Sequence, residues 1–109
     1  MAQEKNFENK IKKWLTEHGC YNVKFFANSH TKKGVPDILA SVNGYFVGIE
    51  VKAQNGKPSP LQFFNVEKVR ESGGFAYIVY PSGWTELQNI LNDLLRDKFN
   101  REDERIILK

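Results

Sequence analysis

Two short apolar runs, Ile38–Val42 and Tyr45–Val51, are separated only by Asn43-Gly44, and this spacing constrains the fold more than any other feature of the chain. Asn-Gly best tolerates the two positive φ angles of a type I′ turn, whose twist matches that of the strands it joins. The two runs therefore predict an antiparallel hairpin. Both of its faces are largely apolar, as in strands at the middle of a sheet covered by helices. A two-residue turn pairs Val42 with Tyr45 and Ile38 with Ile49. Asp37 then stands opposite Glu50 at the open end.

Around the hairpin the periodicities are clear. Phe7, Ile11, Trp14 and Leu15 recur at helical spacing between Glu4 and His18, and Gly19 supplies the stop. Tyr21–Ala27 is aromatic and β-branched and reads as a strand, followed by a polar loop from Asn28 to Gly34. In Ser59-Pro60-Leu61-Gln62, Ser59 suits the N-cap, Pro60 the first helical position and Gln62 the reciprocal capping position of a helix to Ser72. Gly73-Gly74 ends that helix. Phe75–Tyr80 is a further strand, and a Leu-rich helix spans Trp84 to Asp97. Residues 98–109 read as a tail or, through Ile106-Ile107-Leu108, an edge strand. The order α-β-β-β-α-β-α predicts an α/β fold, a mixed sheet flanked by helices.

A chain of 109 residues supports one domain, 1–109, with a single packed core. Its 40% hydrophobic and 27% charged content fits an ordinary globular protein and argues against disorder. No apolar run approaches a membrane span and the N-terminus is not a signal peptide, so no membrane role and a cytoplasmic location are expected, the host cytoplasm for a viral chain. Cys20 is the only cysteine, which excludes an internal disulfide, a thiolate zinc cage and a redox pair. The net charge of +3 is unevenly placed. Residues 1–34 carry seven Lys against three Glu, while the remainder carries nine basic and ten acidic side chains. A basic N-terminal third suits a polyanion, and equally a solvated helix face.

Two carboxylates directly opposed across a strand pair repel one another, so Asp37 and Glu50 need a compensating cation. Lys52, two residues beyond Glu50, lies on the same face of the strand. A divalent ion held by both carboxylates is the other source of positive charge. Hard oxygen ligands without a Cys or His cluster suit Mg²⁺ or Mn²⁺, which polarise phosphoryl oxygens and activate water. Lys52 would then hold the attacking water or stabilise charge on the phosphorane. A plain salt bridge from Lys52 to one carboxylate fits the same residues.

The pattern Gly34-x-Pro36-Asp37, Glu50-x-Lys52, Gly56-Lys57-Pro58-Ser59-Pro60-Leu61-Gln62 and Gly73-Gly74 resembles the VRR-NUC (virus-type replication-repair nuclease) branch of the PD-(D/E)xK nuclease superfamily. The resemblance covers Glu8 to Tyr80. It implies a restriction-endonuclease-like core, Mg²⁺ dependence with Mn²⁺ as substitute, and hydrolysis of DNA phosphodiesters. It also implies relatedness to archaeal Holliday-junction resolvases, which work as homodimers, and partners in replication or repair such as a helicase. Carried over residue by residue, it makes Asp37, Glu50 and the main-chain carbonyl of Val51 metal ligands, with Glu8 a further acidic ligand. Lys52 becomes the catalytic lysine, and Gln62 a side chain of the catalytic face as well as a cap.

Lys32 and Lys33 precede the catalytic strand and suit a DNA backbone, and His30 is a weaker phosphate contact. The leading reading is a Mg²⁺-dependent DNA endonuclease for branched or otherwise non-duplex DNA. A nuclease-fold module that grips nucleic acid without cutting it is the alternative, and the intact Asp37, Glu50, Lys52 set argues against it. A homodimer is expected for two reasons. So small a chain offers little surface for gripping a duplex, and one copy is not expected to bury both the Leu-rich last helix and Ile106-Ile107-Leu108.

Overall fold

The computed structural model describes residues 2–109. Its elements are α1 (Ala2–Glu17), β1 (Tyr21–Lys24), β2 (Ile38–Val42), β3 (Tyr45–Val51), α2 (Pro60–Glu71), β4 (Phe75–Val79), a 3₁₀ turn at Pro81–Gly83, α3 (Trp84–Leu95) and β5 (Ile107–Leu108). The strands form one five-stranded sheet in sequence order. β1, β2 and β3 pair antiparallel, whereas β4 and β5 run parallel to β3 because helices α2 and α3 carry the chain back. This mixed sheet flanked by helices is consistent with the restriction-endonuclease-like fold.

The hairpin has the expected register, with Val42 against Tyr45 and Ile38 against Ile49. Asn43 and Gly44 take φ of 52° and 82°, the two positive values a type I′ turn requires. Asn43 does a second job: its side-chain amide donates to the carbonyl of Leu94 at 3.1 Å, tying the turn to the end of α3.

Helices cover the sheet unequally. Phe7, Ile11 and Leu15 of α1 and Leu87, Leu91 and Leu94 of α3 pack on one face, against Ile38, Val42, Val47, Ile49, Val51 and Val79. On the other face α2 places Val66 over Ala76 and Ile78, with Phe63, Val69 and Ile106 beside them. Centred on β4 and reaching only the far end of β3, α2 leaves β1, β2 and the Phe46 end of β3 bare on that face. Tyr21 is 75% exposed and Phe46 50%.

Three expectations are corrected. β1 stops at Lys24 rather than Ala27. Phe25 N–H still donates to the Asp37 carbonyl at 2.8 Å, and this is the last ladder bond between the two segments among the described residues. The last helix ends at Leu95, two residues early, and Asp97 takes a φ of 55°. Finally, one copy does bury the apolar side of the last helix and the end of the chain's last strand: Leu87, Leu91 and Leu94 are fully buried and Leu108 is 1% exposed, because β5 joins the sheet beside β4 under α3, while Ile107 stays 43% exposed.

Candidate active site

Asp37 and Glu50 meet where the hairpin opens, the first held by a backbone N–H and the second by side chains. Asp37 follows Gly34-x-Pro36, and this approach to the strand is pressed against α2. Asn65 donates its side-chain amide to the carbonyls of Lys33 (3.2 Å) and Leu61 (2.9 Å). Gly34 passes there with φ of 80°, and a Cβ on it would lie 2.7 Å from Asn65 Nδ2 and Leu61 Cγ. The glycine of the motif is thus a requirement of close approach. The Asp37 carboxylate then accepts the Val51 N–H through Oδ2 at 2.9 Å, which fixes its aim along the end of β3.

Glu50 is 2% exposed, an unusual position for a carboxylate. Its Oε2 accepts Nε2 of Gln62 at 3.0 Å, and Lys52 Nζ lies 3.7 Å away. Burial pushes the Glu50 carboxyl up to about 8, and the nearby Asp37 charge adds to the shift while Lys52 only partly offsets it. Gln62 serves two purposes at once. Its Oε1 accepts the Ser59 N–H at 2.9 Å and Ser59 Oγ accepts the Gln62 N–H at 3.2 Å, a complete capping box. The same side chain spends its amide protons on Glu50. A cap at the head of α2 is therefore also a support for the buried carboxylate.

Glu8, only 4% exposed on α1, approaches from the opposite face. It reaches the pair through a residue that the motifs did not mark. Lys24, the last residue of β1, donates to Glu8 Oε1 at 2.8 Å and to Asp37 Oδ1 at 3.3 Å. Lys12 and Lys5 approach the other oxygen of Glu8 at 3.4 and 3.6 Å, yet Glu8 Oε2 has no hydrogen-bond partner among the described residues. Burial would raise the Glu8 carboxyl, but the hydrogen bond and charge of Lys24, with Lys12, outweigh it and hold it below the usual range. Lys24 mirrors this: burial disfavours its charge, and Glu8 and Asp37 more than restore it. No group of three or more Asp, Glu, His or Cys side chains is gathered tightly enough to form a metal cage by itself among the described residues.

Residues 2–102 match the family described as archaeal Holliday junction resolvase (hjc). The chain belongs to that family. It is a PD-(D/E)xK nuclease family, so the match lands on the resolvase relatives that the motif resemblance implied. None of the curated proteins compared with the chain matches it.

In this resolvase-family chain one remaining candidate touches the acid pair and the others lie apart from it. Val51 closes β3 beside Glu50 and lends its N–H to Asp37. His30, Lys32 and Lys33 are exposed on the loop between β1 and β2, where the His30 N–H donates to Asn28 Oδ1 at 2.7 Å. None of the three side chains makes a hydrogen bond or ion pair among those found in the described residues. Trp14 and Trp84 pack edge to face at 6.1 Å against the core, and Cys20 is buried. No helix among the described residues is long and apolar enough to cross a membrane.

Proposed function

We propose that this chain is a divalent-metal-dependent DNA endonuclease that cuts branched DNA, with the four-way junction as its principal substrate. The observation that carries the reading is a buried acid, Glu50, opposed to Asp37 and flanked by Lys52 at 3.7 Å and Gln62 at 3.0 Å. Burying a carboxylate beside another is costly without a function or a cation to offset it. The donor set suits Mg²⁺, with Mn²⁺ as a substitute, because Mg²⁺ is commonly held by one or two carboxylates with water and substrate phosphate completing its shell. Asp37, Glu50 and the Val51 carbonyl would hold it, and Glu8 has a buried oxygen, Oε2, that accepts no hydrogen bond among the described residues.

When bound, such an ion polarises the phosphoryl oxygen and lowers the pKa of an attacking water. The protein's own groups do the rest. The Lys52 ammonium neutralises charge that develops on the phosphate, Gln62 holds the Glu50 carboxylate in orientation, and the exposed Lys32, Lys33 and His30 take backbone phosphates flanking the cut. A non-cutting DNA-binding module would have no use for a buried Glu50 opposed to Asp37. The finer likeness to the VRR-NUC branch rests on motif order alone. A cytoplasmic protein acting with replication or repair proteins is consistent with such a substrate.

The active species is a homodimer, and its support now comes from the sheet rather than from the last helix. Tyr21, Val23 and Phe46 are exposed around an open groove of about 330 Å³ on the face that α2 leaves bare. A contiguous apolar patch of this kind marks an interaction surface. An isologous contact there would hold two identical sites at a fixed separation, as symmetric cuts across a junction require. Labelled single-stranded, duplex, flapped and four-way-junction DNA, incubated with Mg²⁺ or with EDTA, tests the proposal. Mg²⁺-dependent cleavage favouring the junction is expected, and cleavage that survives EDTA would refute it.

A further inference from the structure

We infer that Lys24 is a built-in counter-cation seated between Glu8 and Asp37, and that a divalent ion can load the site only as this ammonium withdraws. The inference rests on the metal reading of the site and adds to it a gate made from the chain's own residues.

Glu8 and Asp37 come from different elements, α1 and the entry to β2, and the contact that joins their side chains is Lys24 Nζ, at 2.8 Å from one and 3.3 Å from the other. The lysine is largely enclosed, with its side chain 20% exposed. This is a cation in a two-carboxylate seat. Lys12 and Lys5 also approach Glu8, but among the described ion pairs neither reaches Asp37. An ammonium donating to Asp37 Oδ1 and a divalent ion drawing on the same carboxylate compete for one place, since two cations a few ångströms apart repel strongly where water is scarce.

Lysine suits such a gate. It is a compact charge on a flexible four-carbon stem, able to leave one acceptor for another without moving the backbone. Beside the seat lies the ring of Phe26, 5.9 Å from Nζ and 70% exposed, so the ammonium has an open path towards solvent and any phosphate bound there. By reciprocity, an incoming phosphate that draws Lys24 away would raise the affinity for the ion, and the ion would favour the phosphate. Metal loading and DNA binding are then coupled through one side chain.

The test needs no DNA. Mn²⁺ binding to the intact protein is followed by the EPR signal of the free ion for the wild type, Lys24→Gln, Lys24→Arg, Lys12→Gln and Asp37→Asn, with circular dichroism to verify folding. Lys24→Gln should lower the half-saturating Mn²⁺ concentration about tenfold by removing the competing charge. Lys24→Arg should keep the wild-type value, and Lys12→Gln should change it far less than Lys24→Gln. Unchanged affinity in Lys24→Gln, or an equal effect in Lys12→Gln, overturns the gate while leaving the ion site standing if Asp37→Asn abolishes binding. Wild-type binding in Asp37→Asn would overturn the ion site and the gate together. A readout on the unmodified chain guards against variants that do not fold. Reductive methylation of Lys24, followed by peptide mass, should be slow without metal and accelerate when Mg²⁺ is added, and a rate indifferent to Mg²⁺ overturns the gate.

Discussion

Replacing Glu50 with Gln removes a buried ionisable group but keeps an oxygen that can accept the Gln62 amide. In the folded chain Glu50 holds its proton up to about pH 8, against 4.5 for the ordinary carboxyl. A carboxyl raised in this way stabilises the fold only while both states are protonated. Once pH passes 4.5 the unfolded chain ionises and the folded one does not, so stability is lost as pH rises towards 8. Each unit is worth about 1.4 kcal/mol, which gives a deficit of about 3 kcal/mol at pH 7 and about 5 kcal/mol above pH 8. Glu50→Gln escapes this deficit. In EDTA its advantage over the wild type should be near zero at pH 4.5 and reach about 3 kcal/mol at pH 7, more than about 10 °C in Tm for a domain of this size. Urea unfolding of both proteins across pH 4.5–8.5 measures it, since titrating groups that do not interact with Glu50 cancel in the difference. A difference that stays flat with pH, or one that favours the wild type at pH 8, would show that Glu50 is not held as a buried neutral acid.

Gly34→Ala should destabilise the chain by about 2–4 kcal/mol, because it combines a positive φ with overlap against Asn65 and Leu61, and a chemical melt unchanged from wild type would contradict that packing. Gln62→Ala removes half of the capping box and the Glu50 contact; a loss of about 1 kcal/mol in urea is expected, alongside reduced cleavage. Stability loss without any change in cleavage would confine Gln62 to capping. Phe46→Asp puts a charge on the bare sheet face without touching the core and should convert a dimer to a monomer in light scattering coupled to gel filtration. A dimer mass retained by Phe46→Asp would move the interface elsewhere.

What the sequence made legible followed from local rules. Asn43-Gly44 sets the turn, the turn sets the register, and the register brings Asp37 to Glu50; no long-range information enters that chain of steps. The Ser59–Gln62 capping box is local in the same sense, and so is the amphipathic stripe Phe7, Ile11, Leu15. Lys24 was not legible, because its place depends on how β1 docks on β2 across the long connection from Phe25 to Asp37. The available signal was a lone charge ending an otherwise uncharged strand just ahead of the polar loop that leads to Asp37. The fate of the last helix was misjudged for a similar reason. Leu-rich faces look surplus until it is known that β5 adds a strand for α3 to cover, and pairing β5 to β4 is a contact that periodicity cannot predict. The bare face of the sheet was likewise hidden, since the length of α2 does not reveal how few strands it spans.

The central claim is that the opposed acids Asp37 and Glu50 form the centre of a metal-dependent nuclease of branched DNA. Single-turnover cleavage of a labelled four-way junction in Mg²⁺, comparing the wild type with folded Asp37→Asn and Glu50→Gln, addresses it most directly. The account predicts that the wild type cuts and that each substitution lowers the rate by at least about a hundredfold, roughly 3 kcal/mol of transition-state stabilisation, while junction binding in EDTA persists. Cleavage at the wild-type rate by either folded variant would contradict it.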